Sequence, residues 1–201
     1  MADEAALTLR FKALGFNDKS VKETLKNKKL SAAYAGILDE GSIAASQDPA
    51  SIDPKTVAGL TFLATQTKDT LCPKRDVITK AILDGRLKTN VQIQAALEYL
   101  RGLDAEGKLD EYSEEVFERE TGVGIEYTKD EIAAMVETYL QANKERIEEE
   151  RYKIVQETLS VLKNTTGLKW ANSGDVKKEV DAQFEKLIGP KDERDLEKKK
   201  V

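Results

Sequence analysis

The chain has 201 residues, 40% hydrophobic and 34% charged, with a net charge of −5 at neutral pH, enough for one large or two small domains with wide solvated faces. It contains no histidine and a single cysteine, Cys72, which removes the commonest general base and metal ligand, the serine-histidine triad, an internal disulfide and a cysteine zinc cluster. Aromatic residues are sparse at 6%, which argues against a β-sandwich, and no apolar run approaches the roughly 18 residues of a membrane span. Met1-Ala2-Asp3-Glu4 is acidic and lacks the basic-then-apolar pattern of a secretory leader. With no disulfide partner for Cys72, a reducing, cytoplasmic setting is expected, and Cys72 reads as a buried or incidental thiol rather than a nucleophile.

In chain order, residues 3–14 carry Leu7, Phe11 and Leu14 at helical spacing, with Gly15 at a C-terminal cap position. Asn17 caps a short helix with Val21 and Leu25 inside and Lys19, Lys22, Lys26, Lys28 and Lys29 on its other face and exit. Ser31 is expected to cap a third helix through Tyr34, Ile37 and Leu38, whose end falls somewhere between Gly41 and Pro49. Asp53-Pro54 is a helix start, with Asp as N-cap and Pro in the first turn; Val57, Leu60 and Ala64 face inward. Pro73 is expected to open the next helix, with Val77, Ala81 and Ile82 apolar and Gly85 at its end. Thr89 or Asn90 caps a sixth, with Ile93, Leu97 and Leu100 on one face. Residues 102–112 are polar and turn-rich, and Ser113 is expected to cap a seventh helix through Val116 and Phe117, ending at Gly122.

The stretch Thr121-Gly122-Val123-Gly124-Ile125-Glu126-Tyr127-Thr128 divides the chain. Glycine serves where backbone must turn freely, and Thr128 with Glu131 three residues on forms a capping box. Spacing alone leaves two readings open, a hinge or an ordinary inter-helix loop. A phosphate-cradling loop is disfavoured, because no apolar strand precedes it and no Lys-Ser/Thr follows.

Beyond the joint, Ile132, Met135, Val136, Tyr139, Leu140, Asn143 and Ile147 trace one face of a single helix about five turns long. Glu148-Glu149-Glu150 at its end reads as solvated surface, since consecutive helical positions do not converge on one point. A helix from about Tyr152 to Lys163 buries Val155, Leu159 and Leu162. After a break comes Leu168-Lys169-Trp170-Ala171, then a helix from near Ser173 or Asp175 through Val176, Val180 and Phe184 to Gly189-Pro190. Residues 191–201 are almost wholly charged. No useful strand alternation occurs, so the fold class is all-α.

Charge is segregated along the chain. Residues 1–111 hold sixteen basic and sixteen acidic side chains, residues 112–150 four and twelve, and residues 151–201 twelve and nine. Local potential rather than total charge steers a phosphate backbone, so a basic C-terminal region keeps a nucleic-acid role open.

Several motifs, in order, carry a resemblance. They are Leu14-Gly15-Phe16, Val21-Lys22-Glu23-Thr24-Leu25-Lys26-Asn27-Lys28-Lys29-Leu30-Ser31, Leu87-Lys88-Thr89, Ala95-Ala96-Leu97-Glu98-Tyr99, and Phe117-Glu118-Arg119-Glu120-Thr121-Gly122-Val123-Gly124-Ile125. Glu150-Arg151-Tyr152, Leu168-Lys169-Trp170-Ala171 and residues 187–199 complete the series. Over essentially its whole length the chain resembles the appended N-terminal region of eukaryotic-type glutaminyl-tRNA synthetase, which is itself similar to the helical and tail domains of the tRNA-dependent amidotransferase B subunit.

The resemblance implies two helical subdomains, 1–121 and 128–190, joined by a short Gly-containing hinge at 122–127 with Gly122, Val123 and Gly124, and a charged linker, 191–201, toward a catalytic domain. It implies non-sequence-specific binding of glutamine-accepting tRNA that helps the catalytic body hold its substrate. The alternative is a protein-interaction module docking the synthetase to other synthetases. The family's class I catalytic motif needs His-Ile-Gly-His, so this chain alone is not expected to be an enzyme, and ATP and magnesium belong to the catalytic domain. No catalytic residue, no metal site, no cofactor in this chain, no membrane partner and a monomeric state are expected.

Binding of this kind needs Lys and Arg presented to phosphates. The candidates are Lys26, Lys28 and Lys29, with Arg86 and Lys88 at a helix junction, in the first subdomain; and Arg151, Lys153, Lys163, Lys169, Lys177, Lys178, Lys186, Lys191 and Arg194 in the second. Trp170 reads more readily as a core anchor than as a base-stacking platform, and Arg151-Tyr152 is open to a structural reading. The charge split and the resemblance both favour a true hinge at 122–127.

Overall fold

The structure, a computed structural model, describes residues 4–43, 52–165 and 167–195. All regular secondary structure among these residues is helical, with no strand. The region between Gly41 and Pro49 in which the third helix was expected to end lies mostly outside the described residues, as do residues 196–201 of the charged stretch. The chain divides into two compact units, Met1–Gly124 and Ile125–Val201.

The first unit contains α1 (Glu4–Ala13), α2 (Asp18–Lys26), α3 (Lys28–Glu40), α4 (Pro54–Thr67), α5 (Arg75–Leu83), α6 (Asn90–Ala105) and α7 (Glu114–Thr121). Each helix has one apolar stripe, and the stripes meet in a single core holding Phe11, Tyr34, Ile37, Leu60, Ile78, Leu97 and Phe117. At one end Phe11, Phe16 and Tyr34 stack and tilt against one another with ring centroids 5.6–5.9 Å apart. Arg75 forks onto Glu40 at 2.7 and 3.0 Å, with Thr79 donating to the same carboxylate at 3.0 Å, and so ties α3 to α5.

Two starts differ from the sequence expectation. Asn27, not Ser31, opens α3: its side-chain oxygen accepts from the Leu30 N–H at 3.1 Å while its own N–H closes α2, and Ser31 is buried one turn in. α5 begins at Arg75 rather than Pro73, because Lys74 adopts the left-handed region at φ 51°. The caps at Asn17, Asp53 and Thr89 stand where the sequence put them, Thr89 in a capping box with Gln92.

The end of the first unit is fixed by Gln92, which is fully buried. Its side-chain oxygen accepts from the Lys88 and Thr89 N–H groups at 2.9 and 3.1 Å, and its amide nitrogen donates to the Gly122 carbonyl at 2.6 Å. Gly122 is itself buried, caps α7 at φ 66°, and is followed by Val123 against the core. The Gly124 N–H then donates to the Arg86 carbonyl at 3.1 Å. Gly122 and Val123, read from the sequence as hinge residues, are thus packed parts of this unit.

The second unit contains α8 (Lys129–Ala142), α9 (Lys144–Glu150), α10 (Val155–Thr165) and α11 (Ser173–Ile188). Its core gathers Ile132, Val136, Leu140, Ile147, Leu162, Leu168, Val176, Val180 and Phe184. Thr128 and Glu131 form the expected capping box. The single five-turn helix is corrected: it breaks at Asn143, whose φ is −115° and whose side-chain amide donates to the Tyr139 carbonyl at 2.8 Å, competing with the helical ladder. Arg151–Ile154 form a 3-10 turn before α10. Leu168 and Ala171 are buried beside the half-buried Trp170, so they rather than Trp170 take the core places of that run.

Replacing Gln92 by Ala would remove the side-chain acceptor of two part-buried N–H groups and the donor to the buried Gly122 carbonyl, and a buried polar group left unsatisfied costs about 1–3 kcal/mol. Gln92→Ala is expected to lower unfolding stability by at least about 2 kcal/mol in urea titration and to accelerate amide exchange at Val123 and Gly124. Unchanged stability would show that Gln92 is not the closure.

Candidate nucleic-acid interface

The sequence nominated cations, and the structure sorts them by what else they hold. In the first unit, Lys26 ends α2 while Lys28 and Lys29 begin α3, all three exposed around the Asn27 corner. Lys28 and Lys29 stand at the positive end of the α3 dipole, where a cation is disfavoured. Lys29 is offset by Asp69 at 2.8 Å, which raises its pKa. Lys26 and Lys28 have no ion-pair partner among the described residues.

Arg86 is engaged within the fold. It bonds Glu114 at 2.7 Å and Glu118 at 3.1 Å, binding the start of α7, and these acids raise its pKa further. Glu114 also accepts from the Tyr112 hydroxyl, and Tyr112 and Arg86 hold its carboxyl below the usual range. Lys88 is exposed and gives its backbone N–H to Gln92.

In the second unit Arg151 is the most committed cation. It sits at φ 53°, with a side chain only 12% exposed. Its guanidinium donates to the Ile188 carbonyl at 3.0 Å, to Asp192 at 3.1 Å and to Asp195 at 3.2 Å. The Tyr152 hydroxyl adds a bond to the Gly189 carbonyl at 2.8 Å. Together they clamp the exit of α11. Arg194 pairs with Asp192, and Lys191 lies over the Tyr152 ring at 5.1 Å. Lys169 covers the Trp170 ring at 4.3 Å.

Lys153, Lys163, Lys177, Lys178 and Lys186 have no ion pair or hydrogen bond through their side chains among the described residues. Lys163 and Lys177 both line a groove of about 580 Å³ between α10 and α11. Its α10 wall is Gln156, Leu159, Ser160, Lys163 and Asn164, one helical stripe; Ser173, Gly174 and Lys177 form the α11 wall. Lys178 lines a second hollow of about 320 Å³ with Lys129, Asp175 and Glu179, and Lys186 a third of about 120 Å³ with Glu137. Lys129 and the polar groove residues were missed by sequence reasoning. Lys129 was visible beside the Thr128 cap, whereas the groove needs two helices brought together.

Elsewhere in the unit, Arg146 takes both oxygens of Glu157 at 2.7 and 2.8 Å and Glu150 at 2.6 Å, so two of the carboxylates around the acidic run are paired. The block-wise charge split does not survive division by unit. Residues 1–124 hold seventeen basic and twenty acidic side chains, residues 125–201 fifteen and seventeen, so both units are mildly acidic. Among the described residues no group of three His, Cys, Asp or Glu side chains is placed to hold a metal ion, and no helix is long and apolar enough to cross a membrane.

With this geometry in place, comparison with known proteins is informative. Residues 5–173 match the family model that describes the first portion of the non-specific RNA binding region of glutaminyl-tRNA synthetase. The chain is 39% identical, over its full length, to 24% of the glutamine–tRNA ligase of Saccharomyces cerevisiae. It is 30% identical, over 94% of its length, to 27% of the cytoplasmic asparagine–tRNA ligase of Dictyostelium discoideum. It therefore spans about a quarter of the length of the curated relatives it matches. The crystal structure of the tRNA binding domain of the Saccharomyces cerevisiae glutaminyl-tRNA synthetase superposes with a TM-score of 0.68 at 38% identity, covering 96% of this chain and 99% of that one.

The exit clamp makes a pH prediction. Arg194 draws the Asp192 carboxyl from its ordinary 3.8 down to about 2, and the Asp192 backbone N–H and Arg151 hold Asp195 low as well. Carboxylates depressed in the fold stabilise it fully above their unfolded value and lose that contribution as pH falls through the folded one. The Arg151 Nε–H resonance is expected to broaden between pH about 4 and about 2, before the Phe184 ring signals move. An Nε–H signal unchanged across that range would show that the carboxylates do not hold the clamp.

Proposed function

The chain belongs to the family of the glutaminyl-tRNA synthetase non-specific RNA binding region, and from that premise we propose that it binds tRNA through the phosphate backbone, holding it for a catalytic body that glutaminylates it. The observation that carries this reading is the set of lysines, exposed apart from the half-buried Lys163, left without internal partners while Arg75, Arg86, Arg146 and Arg151 are engaged within the fold. Cations not already neutralised can displace the counterions condensed on a nucleic acid. A related segment in a ligase named for asparagine further favours contact with features common to tRNAs over readout of one sequence. A cytoplasmic setting and a catalytic domain beyond this chain belong to the same proposal. Docking to other synthetases has less support: the large exposed apolar side chains among the described residues are Leu9, Leu71 and Ile125, which form no stripe on one helix.

We also propose that the two units, which divide at Gly124 and Ile125, fold independently of one another. Gly122, Val123 and Gly124 are bonded or packed into the first unit. Tyr127 packs in the second, and its hydroxyl donates to the Gly167 carbonyl. Segments 1–124 and 125–201 expressed separately are each expected to unfold cooperatively and to keep the amide spectrum of the intact chain. Failure of either to fold alone would mean a shared core and an ordinary loop.

Affinity for tRNA is expected to fall linearly in a plot of log K against log salt. With about four phosphate contacts the loss between 50 and 200 mM salt is on the order of 10²-fold, and it is expected to be similar for glutamine- and asparagine-accepting tRNA. Fluorescence anisotropy measures it; binding indifferent to salt, or confined to one tRNA, would overturn the reading.

A further inference from the structure

We infer that the groove between α10 and α11 is the phosphodiester subsite of the second unit, gripping the RNA backbone between Lys163 and Lys177. The inference rests on the RNA-binding reading above and says where in that unit the binding is concentrated. Three observations carry it.

The first is the chemistry of the lining. Of the three hollows described in this unit, the groove is the one with no carboxylate on its walls: Lys178 shares its hollow with Asp175 and Glu179, and Lys186 shares its own with Glu137. A phosphate entering the groove meets two ammonium groups and no lining acid. On the same helices Glu157 is bonded to Arg146 and Asp175 lines the neighbouring hollow.

The second is that the cations are uncommitted. Neither Lys163 nor Lys177 has a side-chain partner among the described residues, in contrast to Arg151, Arg194 and Lys169. A lysine held by a carboxylate must give up that pair to bind phosphate; these two need not.

The third is shape. The groove volume of about 580 Å³ is within the usual range for ligand sites. Leu159, only 8% exposed, lies in its floor, where the apolar edge of a ribose can rest. Gln156 and Ser173 supply neutral donors and acceptors suited to phosphate oxygens and the ribose 2′-hydroxyl. The start of α11 is not itself the donor, because the Gly174 and Asp175 N–H groups are already taken by the Asn172 side chain at 2.8 and 3.2 Å. The grip comes from side chains on both walls, so both lysines are needed.

The test uses the full chain and fluorescently labelled tRNA, measured by anisotropy at several salt concentrations. Lys163→Gln/Lys177→Gln is expected to weaken binding about tenfold or more at low salt and to reduce the log–log salt slope by about 2, one per lost phosphate contact. Lys163→Arg/Lys177→Arg is expected to retain binding. Lys153→Gln/Lys186→Gln removes the same charge from the unit outside the groove and is expected to cost clearly less. If the control pair costs as much as the groove pair, a diffuse field does the binding and the subsite is overturned. If the groove variant binds as tightly as the unaltered chain while that chain still shows the salt slope, the subsite is overturned and the RNA-binding reading stands; if the unaltered chain does not bind, both fall. Inorganic phosphate is the second probe, followed by the Ser160 and Gly174 amide resonances. Shifts with tRNA that exceed those with free phosphate support a backbone grip. Shifts with phosphate where tRNA produces none assign the groove to a small anion and overturn it.

Discussion

The fold of the first unit depends on one buried amide. Gln92 is a first-turn residue of α6, yet its side chain reaches the end of α7, thirty residues on, and bonds the Gly122 carbonyl. A buried side-chain amide is costly unless satisfied, and here both ends are used: the oxygen takes two N–H groups that open α6, the nitrogen takes a carbonyl that closes α7. One residue therefore caps a helix, seals the core around Phe117 and fixes where the packed chain stops. The segment from Gly124 to Glu126 leaves from a defined point because that closure holds it.

Arginine and lysine divide the remaining work along the lines of their chemistry. A planar guanidinium can satisfy several acceptors in fixed directions, whereas an ammonium is a strongly hydrated point charge on a flexible stem. Arg75, Arg86, Arg146 and Arg151 each bridge elements within a unit, joining α3 to α5, the turn after α5 to α7, α9 to α10, and the turn before α10 to the exit of α11. Arg151 adopts a backbone conformation that non-glycine residues seldom take, and the number of acceptors it gathers is what makes that conformation tolerable. Lys26, Lys28, Lys153, Lys177, Lys178 and Lys186 are left exposed and without such a bridging role.

What could be read from sequence follows the distance between partners along the chain. Helix starts at Asn17, Asp53, Thr89 and Thr128, and ends at Gly122 and Gly189, are local events decided by a side chain and the few N–H or carbonyl groups beside it, and they were legible. The break at Asn143 was not, because the apolar stripe from Ile132 to Ile147 continues across it, and only the side-chain bond to Tyr139 reveals the interruption. Asn27 outcompeted Ser31 because one residue closes α2 and opens α3 at once, which a cap-by-cap reading does not consider. The internal partners of Arg86 and Arg151 were not legible, because Glu114 and Asp192 lie 28 and 41 positions away. The groove was invisible for the same reason: Lys163 and Lys177 belong to different helices, and nothing in their spacing says that the walls between them lack acid.

Net charge is a poor guide to a binding surface of this kind. Both units are mildly acidic, so the long-range field of neither attracts an RNA strongly. At physiological salt the screening length is about 8 Å, and what a phosphate feels is set by the few charges around it. Pairing decides the local balance. An acid held by an arginine, as Glu157 is by Arg146, contributes little net repulsion, while a lysine without a partner contributes its full charge. Internal salt bridges thus do two things at once: they fasten helices together and they neutralise acids that would otherwise repel the phosphate backbone. An acidic protein presents basic sites where its arginines have absorbed neighbouring carboxylates and its lysines have been left over. On the reading proposed above, binding at such sites is salt-sensitive and sequence-indifferent, since nothing in the arrangement reads a base.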